Sequence, residues 1–329
     1  MKQSIGQNMR RAGTPMGFSN VTAGLMLACA AVLGGLPVTD AQAQDRTDQF
    51  AVVDGMSQTR WQTSGYVLRE AGQSIGPEIT ALVRMPLDYK REFMWGALGI
   101  GALILVDRPV TEFYQDHVET ALDGFALPSH PLTDKLDIAG LVDEDWWLIT
   151  GVAGLYGYGL VADDTRAQRA AILSAKAMAY SFVTTQVVLK TAFGRKRPYA
   201  DLSARGDQEG DVFTTDPLDF GNHSGVSLTA DGYGSSMPSY HFTQYFSVAH
   251  VVSRSYDNSW VPYGLATVLA ASNIRGHRHW VSDMAAGTLL GLGIGEVLWQ
   301  TNQNMQERRM TFEPQVSRDR VGLTMTMEF

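Results

Sequence analysis

Four apolar stretches constrain this chain more than any other feature. Phe93 to Val106 is a nearly continuous run of fourteen residues, closed by Asp107-Arg108-Pro109. Trp146 to Val161 is a second run, sixteen residues long with four glycines. In Arg169 to Phe193, the residues Ile172, Leu173, Ala175, Met178, Ala179, Phe182, Val183 and Val187 form a wide apolar stripe at helical spacing. Trp280 to Trp299 is the fourth, and Val261 to Ser272 adds a shorter helix before it. Upstream, Tyr66, Val67, Ala71, Ile75 and Ile79 recur at roughly helical spacing from about Trp61. The first two runs fall short of the roughly 20 residues that cross a bilayer. A mean hydropathy of -0.09 agrees with helices that bury one another in a soluble bundle. Glycine is frequent in membrane helices too, so membrane contact stays open.

The two ends have a different character. Lys2, Arg10 and Arg11 precede an apolar segment from Val21 to Leu36, and Ala41-Gln42-Ala43 matches a secretory cleavage site. The expected mature N-terminus is Gln44; an uncleaved anchor and lipidation at Cys29 are the rivals. Cys29 is the one cysteine, so a cleaved chain has no disulfide and no thiolate nucleophile. At the other end Val321, Leu323, Met325, Met327 and Phe329 alternate with Gly322, Thr324, Thr326 and Glu328, the period of a strand. Thr311 to Ser317 is its expected partner through Arg318-Asp319-Arg320, giving a hairpin packed on the helices. The expected organisation is a signal peptide over 1–43, an N-terminal helical region over 44–140, a helical core over 141–302 and a hairpin tail over 303–329. The expected fold class is all-α, a helical bundle with a short C-terminal β-hairpin.

Charge narrows the partners. The net charge of -8 argues against a general nucleic-acid binder, while a local basic run can still hold a phosphate. Oligomeric state is not readable.

Three clusters can support chemistry. Lys190-Thr-Ala-Phe-Gly-Arg-Lys-Arg197-Pro198 places two cations seven residues apart, about two helical turns, so both can face one anion. Pro238-Ser239-Tyr240-His241 opens a helix with a hydroxyl and first-turn N–H groups that suit an anion, followed by an imidazole that can pass a proton. In Ser272-Asn-Ile-Arg275-Gly-His277-Arg278-His279-Trp-Val-Ser-Asp283, the pair His279 and Asp283 share a face if helical. A carboxylate on one ring nitrogen then leaves the other free to attack. Each cluster alone also fits a bland role: a solvated helix end, an ordinary N-cap, a surface His–Asp pair. As a metal site, His277, His279 and Asp283 make a thin ligand set, and none is assigned.

Lys-x6-Arg-Pro, then Pro-Ser-x-His, then His-x3-Asp, in that order and tens of residues apart, resembles the type 2 phosphatidic acid phosphatase superfamily. That group holds bacterial acid phosphatases, lipid phosphatases and vanadium haloperoxidases, and the resemblance covers roughly Ala171 to Trp299. It implies a phosphatase acting on soluble or lipid phosphate monoesters through a phosphohistidine, without metal or other cofactor. His279 would be the nucleophile, Asp283 its orienting partner and His241 the proton donor. Lys190, Arg197, Ser239 and the Tyr240 N–H would bind the phosphoryl oxygens. An exported enzyme, in the periplasm or at the outer membrane, fits the leader.

Two positions depart from the family pattern. Tyr240 stands where glycine is usual between Ser and His, so its side chain must turn away from the phosphate or narrow the pocket. Asn273 stands where an arginine is usual, and Arg275 is the candidate replacement. These departures motivate a rival, a non-catalytic envelope protein that binds phosphate; a vanadium-dependent haloperoxidase is the other.

Overall fold

The structure is a computed structural model that describes residues 60–133, 135–136, 141–203, 213–222, 235–308, 310–317 and 320–327. For residues 60, 62, 275–277, 308 and the two C-terminal strands, the description stops at the backbone. The expected signal peptide over 1–43 and the cleavage point before Gln44 lie outside the described residues.

Helices form where the apolar periodicity places them. They are α1 (Arg60–Gln73), α2 (Ile75–Asp88), α3 (Lys90–Leu105), α4 (Asp107–Tyr114), α5 (Asp143–Ala162), α6 (Thr165–Phe182), α7 (Tyr240–Tyr256), α8 (Trp260–His277) and α9 (Val281–Arg308). The α4 helix widens into a π-turn over Gln115–Glu119. The α6 helix does the same over Val183–Leu189 before a last turn, Lys190–Phe193. Local chemistry sets the ends. Asp143, Glu144 and Asp145 place negative charge in the first turn of α5, where the helix dipole favours it. Asp164 caps α6 by accepting from Ala167 N at 3.1 Å.

The α7 helix is the centre of the bundle, packed against α6, α8 and α9. Leu173 and Ala177 of α6, Val248 and Val251 of α7, and Ile294 and Leu298 of α9 form the main core. The approach of α9 to α7 is close enough to require glycine. A Cβ at Gly287 would lie 2.5 Å from the Ser239 carbonyl oxygen, and one at Gly291 would fall on the Thr243 carbonyl oxygen.

The N-terminal helices are anchored by polar groups as well. Glu78 of α2 is fully buried and takes Lys176 Nζ at 2.9 Å, Tyr180 Oη at 2.9 Å and Asn302 Nδ2 at 2.8 Å. One carboxylate thus joins α2, α6 and α9, each lone pair met by a donor, as burial demands.

Two small sheets complete the described residues. β1 (Arg197–Pro198) pairs in parallel with β2 (Phe213–Thr214). β3 (Met310–Ser317) pairs antiparallel with β4 (Arg320–Met327), Met310 opposite Met327 and Ser317 opposite Arg320.

The helices run longer than the apolar stretches that mark them. By length and composition alone, Thr165–Phe193 and Val281–Glu307 could each cross a membrane. The shortness of the apolar runs therefore does not separate a soluble bundle from a membrane one.

Candidate active site

The first cluster does not stay on one helix. The helix carrying Lys190 ends at Phe193, and Gly194 takes the left-handed conformation at φ 55. A Cβ there would sit 2.8 Å from Asn222 N, so glycine is required twice over. Arg197 lies beyond this turn, in β1, and not two helical turns along from Lys190 as the spacing suggested. Lys190 nonetheless feels Arg197: burial, then the Arg197 charge, hold its ammonium pKa well below the usual lysine value. Arg197 is buried, and its Nη1 lies 3.5 Å from His279 Nε2.

Ser239 is the N-cap residue of α7, but its hydroxyl caps nothing. The backbone explains this: Ser239 N donates to the Asp283 carbonyl oxygen at 3.0 Å, which fixes the turn without the side chain. Ser239 Oγ is buried, at 1% exposure for the residue, with no hydrogen-bond partner among the described residues. Tyr240 turns into the protein. Its ring meets Phe182 edge-on at 5.8 Å between centroids, and its hydroxyl donates to Gln244 Oε1. His241 is buried beside it, with Nε2 3.3 Å from Asp145 Oδ2.

His279 and Asp283 do meet, though not across a helix face. His279 precedes α9, which begins at Val281, and Asp283 is in the first turn. The Asp283 Oδ2 atom accepts from Trp280 N at 3.0 Å and lies 3.6 Å from His279 Nδ1. The carboxylate thus caps the helix start and faces the imidazole with the same oxygen. Burial pushes the His279 pKa well below its ordinary value, and the charges of Arg197, Lys190 and His241 push it the same way. Four residues from three separated stretches are therefore electrically in reach of one another. Arg275 is in the last turn of α8, but its side chain lies outside the described residues, as does that of His277. Asn273 is buried, an amide where a guanidinium would be.

Sequence reading missed three charged residues of this centre. Arg195 is fully buried. Its Nη1 donates to Asp283 Oδ1 at 2.6 Å and to Ser282 Oγ at 2.7 Å, and its Nη2 donates to Asp107 Oδ2 at 2.9 Å. Burial pushes the Asp283 carboxyl up, and the Arg195 charge works against it. Asp107 begins α4, far from the motifs in sequence; Asp145 is in the first turn of α5. Gly194 was the available signal for Arg195, because a C-terminal glycine ends the helix and turns the next residue inward. Nothing local marks Asp107 or Asp145. Among the described residues, no group of three or more His, Asp or Glu side chains could hold a metal ion.

A helical bundle that gathers paired histidines, a lysine–arginine pair and a buried hydroxyl from three segments defines a histidine-centred protein suited to a tetrahedral anion. The model of the PAP2 superfamily, the type 2 phosphatidic acid phosphatase group, matches residues 170–307, the helical core that carries all three motifs. Its members are phosphatases and related enzymes. Comparison with curated proteins and with solved structures gave no significant match.

Proposed function

We propose that this protein is an exported phosphatase that hydrolyses phosphate monoesters through a phosphohistidine. The observation that carries this reading is the two-sided environment of His279: a carboxylate 3.6 Å from Nδ1 and a guanidinium 3.5 Å from Nε2. In this reading the Asp283 charge favours the proton on Nδ1, so the Nε2 lone pair faces the cations where a phosphoryl group would bind. Burial and the neighbouring cations lower its proton affinity, which favours the neutral, nucleophilic imidazole.

In this reading the Nε2–P bond forms as the P–O bond to the alcohol breaks, and His241 gives its proton to the departing oxygen. Water then attacks phosphorus, His241 takes the water proton, the N–P bond breaks and inorganic phosphate leaves. Lys190, Arg197, Ser239 Oγ and the Tyr240 N–H stabilise the charge on the non-bridging oxygens, so the reading needs no metal. Arg275 is the proposed substitute for the guanidinium absent at Asn273.

The test is a phosphatase screen of residues 44–329, with and without a chelator. It should include p-nitrophenyl phosphate, an alkyl phosphate and phosphatidic acid in mixed micelles. The lipid arm is motivated by Phe93, Met94, Trp95 and Leu98 of α3, all exposed apolar side chains. Turnover that persists with chelator and vanishes in His279→Ala, with an acid-labile phosphoenzyme trapped in wild type, is expected. No turnover of any substrate from pH 4 to 8 would sink the proposal. Halide oxidation with vanadate and peroxide would replace it.

A further inference from the structure

His241 lies beside a carboxylate that the motif pattern does not contain, within ion-pair distance but, among the described residues, without a hydrogen bond at Nε2. Asp145 is fully buried in the first turn of α5, and among the described residues its ion-pair partner is His241, 3.3 Å from Oδ2 to Nε2. Val142 N donates to the same oxygen at 3.3 Å, and Gln244 Nε2 donates to Oδ1 at 3.0 Å. Gln244 in turn accepts from the Tyr240 hydroxyl through Oε1. Tyr240 and Gln244 are one helical turn apart on α7, and both are buried.

The direction of each bond is fixed. A carboxylate only accepts, so the amide of Gln244 must present its NH2 to Asp145 and its oxygen to Tyr240. Tyr240 must then donate. With both oxygens of Asp145 engaged by backbone and amide donors, the carboxylate cannot rotate away from the imidazole.

We infer that Tyr240, Gln244 and Asp145 form a positioning relay for His241. Asp145 holds the proton on Nε2, which leaves Nδ1 as the nitrogen that exchanges a proton with the reacting oxygen. Tyr240, the residue that departs from the family's glycine, is then the far end of this relay and no obstruction of the phosphate site. The inference rests on the phosphatase reading for its kinetic consequence, but not for its structural one. Among the described residues, the titratable groups near His241 include Asp145 from α5, Tyr240 and Tyr245 from α7, at 5.2 and 5.9 Å between ring centroids, and His279 from the start of α9.

Two readouts test it. The first is selective nitrogen NMR of the His241 ring in wild type, Asp145→Ala and Tyr240→Phe, which reports the tautomer with or without turnover. Wild type should hold the Nε2–H form, and Asp145→Ala should lose it. An unchanged tautomer in Asp145→Ala overturns the relay. The second is leaving-group dependence. General acid catalysis contributes about 10²–10⁴-fold, and an alkoxide needs the proton far more than p-nitrophenolate does. Asp145→Ala should therefore cut kcat on an alkyl phosphate by about 10²-fold, and on p-nitrophenyl phosphate by several-fold less. Asp145→Asn, which keeps a neutral acceptor, should recover part of the loss. Equal losses on both substrates, with no recovery, mean that Asp145 only ties α5 to α7, and the relay is wrong. A wild type without turnover refutes the phosphatase reading instead, and the tautomer measurement then decides the relay by itself.

Discussion

Arg195 donates to Asp283 at 2.6 Å, so the carboxylate that faces His279 is gripped from behind by a guanidinium with no exposure to solvent. The same guanidinium holds Asp107 at 2.9 Å and lies between the rings of Phe220 and Trp280, 5.1 and 5.2 Å from their centroids. Two buried carboxylates thus share one cation, with Ser282 as a further donor to Asp107. Such a group is costly to bury and costlier to break.

Removing that cation leaves two uncompensated buried carboxylates. Arg195→Ala should lower unfolding stability by about 3–5 kcal/mol, the range for breaking a buried pair. Arg195→Lys should recover part of it, because a point charge cannot reach both acids with the geometry of the fork. Urea denaturation followed by circular dichroism measures both. Adding Asp107→Asn to Arg195→Ala should restore some stability; a further loss would contradict the shared-cation account.

The acid limb of activity should move with the neighbouring cations. In the proposed mechanism the neutral imidazole of His279 attacks, and burial with Arg197 and Lys190 lowers its proton affinity. Lys190→Met removes one of those charges, so the pKa should rise toward 6.5 and the acid limb of kcat/KM should shift to higher pH. Folding stability carries the same sign. The unfolded imidazole takes up a proton below about 6.5 while the folded one resists. That contribution to stability is complete above this value and lost as pH falls, and His279→Asn should flatten the slope.

Ser239→Ala should separate stability from function. The buried hydroxyl has no hydrogen-bond partner among the described residues, so its deletion relieves a desolvation cost of about 1–3 kcal/mol and should not lower the melting temperature. If the hydroxyl serves a phosphoryl oxygen, kcat/KM should drop by about 10²-fold, as for the loss of one oxyanion donor. Stabilisation by inorganic phosphate in a thermal shift assay should shrink in parallel.

Glycines on α9 and α5 should respond oppositely to alanine. At Gly287 the added methyl would meet the Ser239 carbonyl oxygen at 2.5 Å, so α7 must retreat and carry the Ser239 turn with it. Loss of both activity and stability is expected there. At Gly154, by contrast, nothing lies within 4 Å, and helix propensity should give a gain of up to about 1 kcal/mol. Thermal melts of the two variants check the contrast.

The sequence was most readable where a residue's role follows from its neighbours along the chain. The apolar runs placed α3, α5, α6 and α9, because helical periodicity is a local signal. Lys190, Arg197, His241, His279 and Asp283 were legible as a motif, and the fold does draw them together. Geometry was less legible. Lys190 and Arg197 were read as one helix face although Gly194 interrupts it, and Ser239 was read as a side-chain cap although its backbone alone makes the turn. The partners of the charges were not legible at all. Asp107 closed an apolar run and gave no hint that it would meet Arg195, because which carboxylate finds which guanidinium depends on helix packing over long separations. Tyr240 read as an intrusion, since its hydroxyl goes to Gln244, whose amide reaches Asp145, and that chain needs two helices in place.

The grip of Asp107 on Arg195, and of Glu78 on Lys176, has a practical corollary for anyone trimming this protein. A fragment cut to the recognisable stretch, 170–307, would retain every motif residue yet strand the Lys176 ammonium without Glu78 and leave Arg195 with Asp283 but without Asp107. The smallest piece able to fold should therefore begin no later than α2, well upstream of where family resemblance begins.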